Sequence, residues 1–233
     1  MNRGNPRKAA FRHAVEGNRT ALMATSENQE TSNPRPPRFD LIAGNASLDF
    51  VNTLDDRHIK PKELLEHYSD LARFGEDTGL LDPCQADQLV ERSSRSPDRA
   101  EEALRRAREL REAIHDVFWA LINYRAVPAS ALATLNADAR IAAEHLRLVP
   151  INRAFAWRFD DLDDLDILLW MLARSAADLL ASDQLPFVRA CSSKECEWFF
   201  LDTSKNHHRR WCDMSRCGNR AKVRKFYAKQ KGA

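Results

Sequence analysis

Four of the chain's five cysteines, Cys191, Cys196, Cys212 and Cys217, fall within 27 residues. They form two pairs, each with four residues between its members, and fifteen residues separate the pairs. Zinc takes four soft ligands in a tetrahedron, and two short-range cysteine pairs can supply two of its edges. Four thiolates leave no open position for water, so the pattern reads as one structural zinc ion rather than a catalytic centre. His207 and His208 offer alternative ligands, but adjacent histidines in a basic loop read as exposed and phosphate-facing. Cys84 stands more than a hundred residues away and reads as a small core residue.

Cations accompany the cysteines. From Arg189 onward twelve Lys/Arg face four acids, a net +8, while the remainder of the chain carries −6. Four thiolates around one Zn²⁺ would leave about +6 on the tail. Lysine and arginine that neutralise phosphates release counterions, which supplies most non-specific nucleic-acid affinity. Arg209, Arg210, Arg220, Lys222, Arg224 and Lys225 are the candidate nucleic-acid contacts. Trp198, Phe199, Trp211 and Tyr227 could stack on RNA bases, although a small finger also needs aromatics for its core.

Several elements must position these groups. Leu185, Phe187 and Val188 make an extended apolar stretch before Cys191, and Trp198, Phe199 and Phe200 follow Cys196. Cys217-Gly218-Asn219 stands where a helix should begin, running to about Lys229, and a thiolate is favoured in such a first turn. Val223, Phe226 and Tyr227 would pack inward. A knuckle followed by a pair ending at a helix N-terminus suggests a small treble-clef-like zinc finger over residues 187–233.

Residues 39–186 read as a mainly α domain with a small β-hairpin. Helices are expected over Lys62–Phe74, from Pro83 with Asp82 as N-cap, over about 97–124, from Pro128 to about Glu144, and after Asp166. Leu146–Val149 and Ala154–Phe159 should pair around Pro150-Ile151-Asn152. Residues 1–38 are polar, lack periodicity and carry Pro34, Pro36 and Pro37, which reads as a disordered segment, with Met23 as an alternative start.

Asp49, Asn52 and Thr53 lie among Leu48, Phe50, Val51 and Leu54, where polar groups must find hydrogen bonds. A buried polar network is one reading. The other is a pocket for a small-molecule effector, with Asp49 and Asn52 as its polar anchors. Asp160, Asp161, Asp163, Asp164 and Asp166 read as favourable charge at a helix N-terminus rather than a cation site.

A composition of 43% hydrophobic and 30% charged residues indicates a globular chain. The notable apolar run, Ile167–Ala173, is far short of the ~20 residues that span a bilayer, so no membrane-spanning helix is expected. The N-terminus has no apolar secretion core, which points to a reducing, cytoplasmic setting. Nucleophile elbow, P-loop and dinucleotide fingerprints are absent, so the chain is not expected to be an enzyme.

Arg210-Trp211-Cys212 with Cys217-Gly218-Asn219-Arg220 and Lys222 resembles the CGNR zinc finger, and Cys191, Cys196, Phe200, Asp202 and Ser204 fit its upstream half. Gly44-Asn45 followed by Leu48-Asp49-Phe50-Val51-Asn52-Thr53 resembles the opening of the ABATE domain that precedes this finger. His207-His208 departs from the small or basic residues often found there and leaves the cysteines untouched. The resemblance implies a bacterial two-domain protein described as a stress-induced transcription regulator, with a helical N-terminal domain and a DNA-binding finger. The residues and the resemblance together lead to a zinc-dependent, DNA-binding transcriptional regulator whose N-terminal domain senses a ligand or stress signal. An RNA-binding or protein–protein interaction module stabilised by zinc is the alternative.

Overall fold

The computed structural model describes residues 35–231, except for the side chains of residues 228, 229 and 231. Residues 1–34, with Met23 and most of the segment expected to be disordered, lie outside the described residues. The described end of that segment is anchored. The Arg38 N–H donates to Asp77 Oδ2 at 2.6 Å, and Arg73 Nη2 donates to the Pro36 carbonyl at 2.6 Å.

Among the described residues the fold is mainly α, with seven α-helices and three two-stranded sheets. In chain order these are α1 (Ala46–Val51), β1 (Leu54–Asp55), β2 (Lys62–Glu63), α2 (Tyr68–Asp77), α3 (Pro83–Arg95), α4 (Pro97–Ile122) and α5 (Ala129–Glu144). A hairpin of β3 (Leu146–Ile151) and β4 (Ala154–Phe159) follows. Then come α6 (Ile167–Leu180), β5 (Val188–Ala190), β6 (Phe199–Leu201) and α7 (Asn219–Lys231). No helix among the described residues is long and apolar enough to cross a membrane.

Local chemistry sets the helix starts. Asp82 accepts from the Gln85 N–H at 2.8 Å while Gln85 Oε1 accepts from the Asp82 N–H at 2.9 Å, a reciprocal cap with Pro83 in the first turn. The helix expected from Lys62 begins only at Tyr68. Asp70 Oδ2 accepts from the N–H groups of Glu66 and His67, both at 2.8 Å, which fixes the start there. Lys62 and Glu63 instead pair as β2 with β1. Glu63 is held in that strand by a bidentate pair with buried Arg111 at 2.6 and 2.7 Å. Cys84, expected in the core, is exposed, because α3 turns Ala86 and Leu89 inward and Cys84 lies on the opposite side.

Residues 147–158 of the hairpin fall outside the compact unit formed by residues 36–146 and 159–233. The turn is left-handed at Asn152 (φ 55°), a conformation that asparagine tolerates; β3 runs two residues further than expected, to Ile151, while β4 has the expected bounds. Leu148, Phe155 and Trp157 are exposed on this hairpin.

Most of the buried residues of the body form one cluster, beside a small second one of Ala113, Val117 and Ala131. Buried Leu48, Phe50, Phe74, Leu110, Ile114, Phe118 and Leu168 belong to the same cluster as Val188, Cys191, Phe199, Phe200, Leu201, Cys212 and Cys217. β5 and β6 pair antiparallel, with Arg189 opposite Phe200. Strands of three residues are too short to enclose a core of their own, so α1 and α4 cover them. Fully burying Phe199 and Phe200 stabilises this junction by roughly 1.5–3 kcal/mol each.

Candidate zinc site and nucleic-acid surface

The cysteine cluster grows from that short hairpin. Cys191 leaves β5 and donates its backbone N–H to the Trp198 carbonyl at 2.8 Å, closing a knuckle in which the Cys196 N–H donates to Ser193 O at 3.0 Å. The second pair is Cys212 and Cys217, and Cys217 sits in a wide helical turn, Met214–Gly218, that leads into α7. Asp213 Oδ1 caps this turn by accepting from the Arg216 N–H at 2.9 Å. A Cβ at Gly218 would displace the flexible Met214 side chain and crowd Trp211 Cδ1 at 3.2 Å.

The four sulfurs lie within 4.8 Å of one another, with Cys196–Cys212 at 3.5 Å and Cys212–Cys217 at 3.7 Å. A tetrahedral zinc with bonds of ~2.3 Å requires sulfurs ~3.8 Å apart, and the cluster fits it. Hydrogen bonds from Cys196 and Cys212 pull the Cys191 thiol down, while the contact with Cys191 pushes those of Cys196 and Cys212 up. A divalent ion lets all four ionise. Arg220 Nη2 donates to Cys217 Sγ at 3.3 Å and offsets part of that charge. His207 is not part of the cluster. It stacks on Phe187 at 3.9 Å with Nδ1 2.8 Å from the Asp202 carbonyl oxygen, while His208 is exposed.

The six candidate cations divide into distinct groups. Arg209 faces inward, contrary to the expectation from sequence. Its Nε donates to Trp211 O at 2.9 Å, its Nη2 donates to Cys212 O, and its guanidinium lies 4.5 Å from the Phe200 ring centroid. Its backbone N–H donates to buried Asp202 at 2.8 Å, so Arg209 braces the loop before Cys212. Burial opposes charge on Asp202, but hydrogen bonds from Ser204 and the Arg209 backbone outweigh it and keep the carboxyl below the usual range. Arg210 is exposed and lies over the Trp211 ring at 5.4 Å. Lys222 and Lys225 are exposed on α7. Arg224 pairs with Glu195 of the knuckle at 2.5 Å, and Arg220 lies 4.0 Å from the same carboxylate. Glu195 carried no signal in the sequence, because only folding brings it to α7. A groove of about 670 Å³ is lined by Ser215, Arg216, Asn219, Arg220, Val223 and Arg224, and a second of about 310 Å³ by His208, Arg209, Arg210, Trp211 and Met214.

Asp49 and Asn52, expected as candidate pocket anchors, have their polar groups engaged within the fold. Asn52 Oδ1 accepts from the Phe199 N–H at 2.9 Å and Asn52 Nδ2 donates to the Phe199 carbonyl at 3.0 Å. Thr53 Oγ1 donates to Phe50 O at 2.6 Å and accepts from Arg111 at 3.2 Å. Asp49 Oδ1 accepts from the Ala43 N–H at 2.9 Å. Gly44, at φ 77°, makes the turn that glycine allows, and Ala43 O accepts from the Leu201 N–H at 2.7 Å. Trp198 Nε1 donates to Asp55 at 2.8 Å, and Arg216 pairs with Asp40. The segment from Asp40 to Asp55 therefore clamps the finger.

Burial pushes the Asp49 carboxyl up to about 7, against the lowering effect of hydrogen bonds from the Ala43 and Ile42 backbone. The folded protein thus holds a proton that the unfolded chain releases near pH 4. This contribution to stability is complete below about pH 4 and falls as pH rises towards 7. Urea unfolding at pH 5 and 7.5 should show Asp49→Asn gaining on the wild type at the higher pH. A stability difference that does not vary with pH would contradict the assignment.

Residues 188–230 match the CGNR zinc finger, and the four cysteines lie together to hold one zinc ion. A comparison with curated proteins found no match. Residues 44–183, more than half of the chain, match the model of the ABATE family, whose description reads "Putative stress-induced transcription regulator", and the chain belongs to that family.

Proposed function

We propose that the chain is a cytoplasmic, zinc-stabilised DNA-binding transcription regulator and not an enzyme. One observation carries the reading: α7 leaves the zinc cluster with Arg220, Lys222, Arg224 and Lys225 in its first two turns and has no acid in its sequence. A polyanion meets this row of cations on a metal-braced base, with the arginine-lined grooves beside it. A rigid cationic surface pays less ordering entropy on binding than a free tail would. A ligand-sensing role for the N-terminal domain draws no support from Asp49 and Asn52, since both bond internal backbone groups.

Fluorescence anisotropy of the full-length, zinc-loaded protein tests the reading. Duplex DNA should bind, and Lys225→Ala should reduce the slope of log K against log salt by about 1 if that lysine neutralises one phosphate. Arg209→Ala should instead lower thermal stability and zinc retention, since its guanidinium braces the Cys212 loop. Glu195 is an internal competitor for phosphate. Glu195→Gln should tighten DNA binding roughly two- to fivefold at low salt, the scale of one exposed ion pair. Unchanged affinity would remove that role. Structured RNA outcompeting duplex DNA would favour an RNA-binding module, and no binding of either would leave a protein–protein module.

A further inference from the structure

The DNA-binding reading above also bears on the apolar side of the same helix. Val223, Phe226 and Tyr227 are 53%, 58% and 58% exposed. They were expected to pack inward, but Phe199, Phe200 and Leu201 fill the finger's core, with Trp198 and Trp211 packed against it. At about 100° per residue, positions i, i+3 and i+4 line one face of α7. The Phe226 and Tyr227 rings meet edge to face with centroids 5.7 Å apart, which makes them one block. Lys222 borders this stripe on one side and Arg220 on the other. Val223 also lines the groove that holds Arg216, Arg220 and Arg224.

The stripe is an apolar surface between rows of cations, on a helix without a carboxylate. It complements a partner whose apolar surface lies between rows of negative charge, and stacked base pairs between two phosphate backbones have that arrangement. An acidic protein surface would match the cations but not the aromatic block. We infer that Val223, Phe226 and Tyr227 form a wedge that enters the base stack of DNA while Arg220 and Lys222 hold the phosphates on either side. Insertion must unstack a base step, which is easiest where the duplex is mismatched.

The test uses full-length, zinc-loaded protein and two duplexes of one sequence, matched and with a central mismatch. The wild type should bind the mismatched duplex several-fold more tightly. Phe226→Ala should lose roughly tenfold in affinity and the mismatch preference, with an unchanged salt slope because no charge is removed. Lys222→Ala should do the reverse, lowering the slope and keeping the preference. Zinc content and melting temperature of Phe226→Ala should match the wild type, since the side chain is exposed. Equal affinity of the wild type for both duplexes, or unchanged binding by Phe226→Ala, would overturn the wedge while DNA binding stands. Self-association that Phe226→Ala abolishes without affecting DNA affinity would assign the stripe to contact between copies. Absence of any DNA binding by the wild type would remove the DNA-binding reading, and the wedge with it.

Discussion

Cys212→Ser is expected to release the metal and unfold the segment from Val188 to Lys231. A serine hydroxyl does not ionise near neutral pH, so the site would keep three sulfurs. Structural zinc contributes apparent binding free energies of about 10–16 kcal/mol in small fingers, and losing even part of that exceeds what two three-residue strands can supply. The damage should not stop at the finger. Phe199, Phe200 and Leu201 belong to the core shared with α1 and α4, so their release opens the helical body as well. Melting should fall by more than about 10 °C, and zinc measured by mass spectrometry should drop well below one per chain. Cys84→Ser is the control, because Cys84 is exposed and outside the cluster; it should leave both quantities unchanged. Full zinc occupancy in Cys212→Ser at an unaltered melting temperature would refute the four-sulfur site.

Asn52→Leu should have the next largest effect. The substitution keeps the volume but removes both hydrogen bonds to Phe199, leaving a buried N–H and a buried carbonyl without partners. Each unpaired buried group costs about 1–3 kcal/mol. Together they should lower the melting temperature by roughly 5–15 °C for a domain of this size. Hydrogen exchange at the Phe199 amide reads the clamp directly and should accelerate by at least tenfold. Zinc should be retained, because no ligand changes, although it should leave more readily to a chelator once β6 loosens. Protection at Phe199 equal to the wild type would show that Asn52 is dispensable to the junction. Of the two variants, Cys212→Ser acts through the metal and Asn52→Leu through the junction, so chelator sensitivity measured against melting separates the two devices.

Local patterns in the chain carried a good deal of this. The cysteine spacing, the Asp82-Pro83 helix start, the long periodic stretch that becomes α4, and the reading of Cys217-Gly218-Asn219 as a helix entrance all rest on interactions within a few residues. They hold because capping, helical periodicity and paired ligands act over one or two turns. The region from Lys62 to Phe74 shows where such reasoning ends. Its pattern suits an amphipathic helix, but Glu63 reaches Arg111, 48 residues away, and the helix starts only at Tyr68, where the Asp70 carboxylate accepts from the N–H groups of Glu66 and His67.

By itself the sequence determined which side chains can ligate zinc, where the cations concentrate, and most helix boundaries. Only the tertiary structure decided what those groups face. It turned Arg209 inward onto Phe200 and the Cys212 loop, placed Glu195 against Arg224, left Val223, Phe226 and Tyr227 in solvent, and joined Asn52 to a backbone 147 residues away. The physical reason is range. Ligand spacing and helix propensity depend on near neighbours, whereas burial and the partner of a polar group depend on which distant surface arrives to cover it.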